Sequence, residues 1–322
     1  MNKTDENQIK DKKSNKSFLK KIYKLAIPLK GDTRKQVISK IIFLICLIAF
    51  IVSSAILIRY VYEDHRTKKL NDSLREIYQN ADDSVSSVAD GETMLPKFEK
   101  LFSINNEIVG WVDISDSTVS YPVLQTGDND YYLKHDFEKK DSRTGAIFAD
   151  FRYKLSPDHI PDNTVVYGHY TKSGAFFGAL HKFRDLDYLK SHPVINFDTL
   201  TREGKYKIFA VFITNADPGQ DRGVVFDYHN RMIFNSENDF KDFYDNVMLR
   251  NFYKTDVDVK YGDELLTLST CSQEFWNGRL VIVARRVRDG ESETTNSDSY
   301  LENPDKYMPI AWYEVMKIKP PR

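Results

Sequence analysis

The chain has 322 residues, 41% of them hydrophobic, and a net charge of -1. That length admits one large domain or two small ones with a sizeable core. Twelve Lys/Arg stand before residue 41 against four Asp/Glu, which leaves 34 basic and 43 acidic residues beyond. This balance excludes nucleic acid as the main partner of the folded part.

Residues 1–40 read as a basic cytoplasmic tail, either disordered or lying at a membrane surface. Residues 41–58, IIFLICLIAFIVSSAILI, carry no charge. As a helix they span about 27 Å, enough to cross a bilayer core. Ser53 and Ala55 make a weak small-x-small cleavage pattern, but the basic region ahead is too long for a signal peptide and the apolar run continues past the cut. A retained signal anchor is expected, with the N-terminus cytoplasmic and everything after Arg59 extracellular. Residues 59–93 read as a juxtamembrane helix and linker. Leu70, Leu74, Ile77 and Tyr78 recur at helical spacing among charges, as in a helix standing the domain off the membrane. The stretch 82–91, rich in Ser and Asp, reads as the linker.

Folded sequence occupies 94–288. A short helix is expected around Leu95, Phe98, Leu101 and Phe102. Strands are expected over 108–112, 119–124, 146–149, 164–167, 194–197, 206–214, 265–270 and 280–284. They are short and bounded by Gly, Pro, Asn or Asp, which points to a closed or nearly closed barrel rather than βαβ units. Pro122 places its strand at an edge or an end. Phe176, Leu180 and Phe183 mark one interrupting helix. Ser236 and Asp239 form a capping-box signature ahead of another, bearing Phe240, Phe243, Val247, Met248 and Phe252. A C-terminal extension, 289–322, holds Met308, Ile310, Trp312 and Val315, apolar enough to dock on the domain.

Of the two cysteines, Cys46 lies in the apolar helix, so Cys271 is alone in its compartment. An unpaired exported thiol at a strand end suggests a reactive nucleophile. Arg279 opens the next strand, and a guanidinium beside the thiol favours thiolate. A small buried Cys and a solvated Arg are the plainer alternative. A thiol nucleophile needs a proton partner. Of seven histidines, His65, His181, His192 and His229 read as solvated, and His135 and His159 fall in polar loops. His169 differs: it ends the strand TVVYG, and Gly168 permits close backbone approach.

TLSTC at 267–271 followed by GRLVIVARRV resembles the signature of sortases, membrane-anchored cysteine transpeptidases of Gram-positive bacteria. NTVVYGH at 163–169 resembles that family's histidine motif. EIVGWVDI, YPVLQTGDNDYYLKHDF, TGAIFADFR and HPVINF are similar to class B sortases. The resemblance runs from about residue 94 to 287. It implies a mainly β, eight-stranded sortase barrel, with Cys271 as nucleophile, His169 as general acid/base and Arg279 stabilising the oxyanion or substrate. Arg285 and Arg286 are rival arginines; alternation puts Arg279 and Arg285 on one face. Ser269, Thr270 and Glu274 are candidate substrate contacts.

The implied substrates are secreted proteins bearing a C-terminal sorting motif, cleaved after Thr, with a cell-wall peptide amine as acceptor. The alternatives are release to water by a plain cysteine peptidase, joining to a pilin Lys, and a non-enzymatic binding module with an incidental Cys. No cofactor or metal is expected. Asp128 and Asp130 read as a polar turn, and no glycine-rich phosphate loop is present.

Overall fold

The computed structural model describes residues 26–81, 88–89, 92–156 and 159–320. The first 25 residues of the expected tail and most of the expected 82–91 linker lie outside these. Two compact units result, Met1–Lys68 and Lys69–Arg322.

Helix α1 (Arg34–Gln79) runs without a break through the apolar stretch and the expected juxtamembrane segment. Thr33 and Gln36 start it with a reciprocal box: Gln36 N–H donates to Thr33 Oγ1, and Thr33 N–H to Gln36 Oε1. Its apolar side chains, among them Ile45, Ile48, Phe50 and Leu57, are exposed on the protein. Among the described residues it is the one helix long and apolar enough to cross a membrane, and it fits a single-pass anchor.

The last turns of α1 belong to the second unit. Leu70, Leu74, Ile77 and Tyr78 form the expected stripe, and within this unit the stripe packs on the domain. Leu74 is buried with Phe98 and Leu101 of α2 (Pro96–Ile104) and with Trp111. Tyr78 stacks on Trp111 at 4.2 Å and donates to Asp198 at 2.5 Å. An apolar stripe left in water would forfeit about 25 cal/mol per Å² of such contact.

The barrel has eight strands: β1 (Ile108–Asp113), β2 (Ser120–Leu124), β3 (Ile147–Ala149), β4 (Asn163–Tyr167), β5 (Val194–Thr199), β6 (Lys205–Asn215), β7 (Leu265–Cys271) and β8 (Gly278–Arg286). They close in the order β7-β8-β6-β5-β1-β2-β3-β4, with β4 returning to β7. Only the β2–β3 and β4–β7 pairs are parallel. Contrary to the edge reading, the strand of Pro122 is flanked on both sides. Its ladder to β3 starts only at Val123, so the donor Pro122 lacks has no β3 acceptor waiting.

Alternation sorts the strands into layers. Leu266, Leu268, Leu280 and Ile282 fill the barrel with Val112, Val166, Phe197 and Ile208. Leu265, Val281 and Val283 face outward and pack under α4 (Glu237–Arg250) with Phe209, Phe212, Phe243 and Val247. Because β8 is covered on both faces, its residues 280–284 read as an unbroken apolar run. Ser236 caps α4 as its sequence indicates, its Oγ accepting from Asp239 N–H at 3.2 Å. Phe252 lies beyond that helix and donates its N–H to Val211 O at 2.8 Å. The helix marked by Phe176 and Leu180 is a 3₁₀ helix, Phe177–Arg184, preceded by Phe176 at φ 50°. Two short helices complete the unit, α3 (Leu186–Ser191) and α5 (Ile310–Met316).

Candidate active site

Strand β7 carries the centre of the site at its C-terminal end. On one side Cys271 stands directly opposite Arg279 in the antiparallel ladder to β8. On the other side Ser269 stands opposite Tyr167 in the parallel ladder to β4, and Gly168 N–H donates to Ser269 O at 3.2 Å. The ladder ends there, and two residues further on His169 lines the same groove as Cys271. Gly168 is required here: a Cβ would lie 2.4 Å from Ile147 Cδ1 and 2.7 Å from Phe177 Cγ.

Counting outward from Leu265 puts Ser269 and Cys271 on the outer face of the barrel. There Cys271, His169, Arg279, Ser269 and Thr270 line one groove of about 630 Å³. The first three are half-buried, so each is held by packing yet reachable. His169 Nε2 lies 2.9 Å from Leu133 O. A carbonyl only accepts, so Nε2 carries a proton and Nδ1 is left for chemistry. The Arg279 guanidinium donates to the carbonyls of Asn277 (3.2 Å) and Gly278 (3.0 Å). Among the described residues no carboxylate pairs with it, so its charge stays available to a bound group.

Glu274 is turned away from this groove. Its side chain is 4% exposed and pairs with Arg184 at 2.5 Å, and Ser272 Oγ donates to it. Nearness in sequence to Cys271 did not make it a wall of the groove. Arg285 shares the outer face with Arg279, as alternation requires, but sits at the far end of β8. It is 1% exposed, and bonded to Glu291. Arg286 pairs opposite Tyr206. Neither rival arginine lines the groove.

Of the histidines read as solvated, two bear on the site. His181, on the 3₁₀ helix, donates from Nε2 to the carbonyl of Cys271 at 3.0 Å, and its ring lies 4.6 Å from that of Tyr170. Burial pushes its pKa down, outweighing the Cys271 carbonyl and Glu274, and keeps it a neutral donor. One turn on, Arg184 grips Glu274, so the 3₁₀ helix holds both the Cys271 peptide and the loop after it. His229 lines the groove from the β6–β7 connection, 3.0 Å from Asp227; burial lowers its pKa too. Beside it Tyr228 is buried, its hydroxyl 2.7 Å from Ser269 Oγ. The alternation of Phe226 and Tyr228 with Asp227 and His229 was the one sequence signal for this wall.

A half-buried thiol beside an imidazole and an unneutralised guanidinium suits acyl transfer. Residues 112–287 match the sortase domain family. The chain belongs to the sortase family. Sortase B of Listeria monocytogenes serovar 1/2a is 31% identical over 255 residues, covering 79% of this chain and 98% of that protein. Sortase B of Staphylococcus aureus is 33% identical over 201 residues, 61% of this chain and 77% of that one. The crystal structure of sortase B from B. anthracis in complex with AAEK1 aligns with a TM-score of 0.60 at 31% identity, over 71% of this chain and 99% of its own. The barrel, the anchor helix and these relatives make this a class B sortase, a cysteine transpeptidase by family.

Proposed function

We propose that this sortase cleaves a C-terminal sorting motif after Thr and joins the protein to a cell-wall peptide amine. Cys271 Sγ, as thiolate, attacks the Thr carbonyl carbon and a tetrahedral oxyanion forms. Arg279 stabilises that charge, or holds the motif's backbone, with a fixed pair of donors. As the oxyanion collapses, the C–N bond breaks and His169, as imidazolium, gives its Nδ1 proton to the leaving amine. The thioester remains. The incoming amine attacks it and loses its proton to His169, and the thiolate leaves as the new amide forms. Ser269 and Thr270 would contact the motif. Glu274 instead anchors the loop beyond Cys271, a role its pairing with Arg184 supports.

The observation that carries this reading is the placing of Cys271 between two flanking strands, with Arg279 opposite it and His169 beyond the other ladder, all opening on one groove. It agrees with a cytoplasmic N-terminus, anchoring through residues 41–58 and an extracellular catalytic domain, where both sorting substrates and wall amines are met.

The test is a screen of peptides varied around a central Thr, read by mass spectrometry of the Cys271 adduct. A thioester adduct that yields an amide when a peptide amine is added, in excess of hydrolysis, is expected. Hydrolysis alone at saturating amine would make the enzyme a peptidase.

A further inference from the structure

The matched family domain ends at residue 287, yet the chain beyond it folds back onto the β6–β7 connection. The extension is first pinned to the end of α4. Leu301–Glu302 pairs antiparallel with Tyr253–Lys254. Asn303 N–H donates to Phe252 O at 2.7 Å, and its side-chain amide to Asn251 O at 2.8 Å. Asn251 in turn accepts from Val211 N–H of β6 at 3.0 Å. The extension is therefore tied through two short links to a barrel strand.

From that anchor Tyr307 reaches the groove wall. Its hydroxyl lies 2.8 Å from both carboxylate oxygens of Asp221, and Ile310 N–H donates to the same carboxylate at 3.2 Å. Asp221 is 1% exposed. Burial, then the Asp221 bond, push the Tyr307 phenol up to about 12, so it remains a donor. The Arg250 guanidinium lies between the rings of Phe226 (4.8 Å) and Tyr307 (5.2 Å). Immediately after Asp221 the chain makes a tight turn, with Arg222 at φ 51° and Gly223 at φ 88°. Asp221 O accepts from Val224 N–H at 2.9 Å and Val224 O from Asn215 at 2.7 Å. The next two residues, Val225 and Phe226, line the groove. A non-glycine residue in the left-handed region is held there by its surroundings, not by its own preference.

We propose that the C-terminal extension braces the β6–β7 wall of the groove, so that Tyr307 and Asp221 are specificity-determining positioning residues for the sorting motif. They touch no reacting atom and act through Val225 and Phe226. The inference rests on the groove being the substrate site. It is tested on the full chain in detergent, with the peptide the wild-type protein cleaves best as probe. Tyr307→Phe is expected to raise KM about fivefold while kcat changes less than twofold, the signature of lost binding that ground and transition states share. Asp221→Asn should do the same, and the double variant no worse than either. Alkylation of Cys271 by iodoacetamide, which needs no wall, should be unchanged. Preference at peptide positions away from the Thr should relax in both variants. Unchanged KM and preference, or a parallel loss of alkylation and melting temperature without a KM shift, would overturn the brace. Absence of any Cys271 adduct in the wild-type protein would overturn the brace and the groove assignment together.

Discussion

The two faces of β7 obey different rules. The inner face, Leu266 and Leu268, is fully buried and exchanges only apolar contacts with the barrel's other strands. The outer face, Ser269 and Cys271, shares the same backbone but opens on the groove. The strand is rigid because of its inner face, and that rigidity lets the outer face hold a thiol directly opposite Arg279 across the ladder. Stability and chemistry are thus separable at single-residue spacing.

Substitutions can break that separation or sharpen it. Cys271→Ala should abolish adduct formation on any sorting peptide while leaving the melting temperature within a degree or two of the parent. A large loss of stability would mean the two faces are not independent. Leu268→Ala should do the reverse, costing about 3 kcal/mol in denaturant unfolding with kcat per folded molecule unchanged. Arg279→Lys keeps the charge but not the planar pair of donors, and should lower kcat about a hundredfold at constant stability. His181→Ala should cost about tenfold in kcat/KM through a misplaced Cys271 peptide, and His181→Gln, which keeps a donor, should recover part of it. Equal losses in the two would show that only packing matters there.

The smallest effect lies in the acid limb. The bond from Arg285, helped by Lys207, holds the Glu291 carboxyl well below its ordinary 4.5. A depressed carboxylate contributes stability above its unfolded value, and that contribution fades as pH falls through and below that value. Thermal midpoints measured from pH 7 to 3 should drop less in Glu291→Gln than in the parent. His181 acts in the same direction at higher pH, since its lowered pKa makes protonation below about 6.5 favour the unfolded chain.

The barrel was legible because its strands are short apolar runs separated by turn residues, and each expected strand falls within a residue or a few of the one observed. Cys271, His169 and Arg279 stood out because each marks a strand terminus in a matching motif. His181 did not. Flanked by Lys182 and Arg184 it looks solvated, and its partner is a main-chain carbonyl 90 residues on, which leaves no mark in side-chain pattern. Glu274 is the opposite case: adjacency to Cys271 suggested a substrate contact, while the chain turns its side chain toward Arg184. The wall built by Phe226, Tyr228 and His229 depends on how a long connection folds back. Local periodicity carries little information about such a path.

The parallel seam between β4 and β7 has a further consequence. Parallel strands cannot be joined by a tight hairpin, and Thr267 meets Asn163 across 104 residues of chain. Imidazole and sulfur therefore become neighbours only once nearly the whole domain has been made and zipped shut. A nascent or half-melted copy therefore carries Cys271 apart from His169.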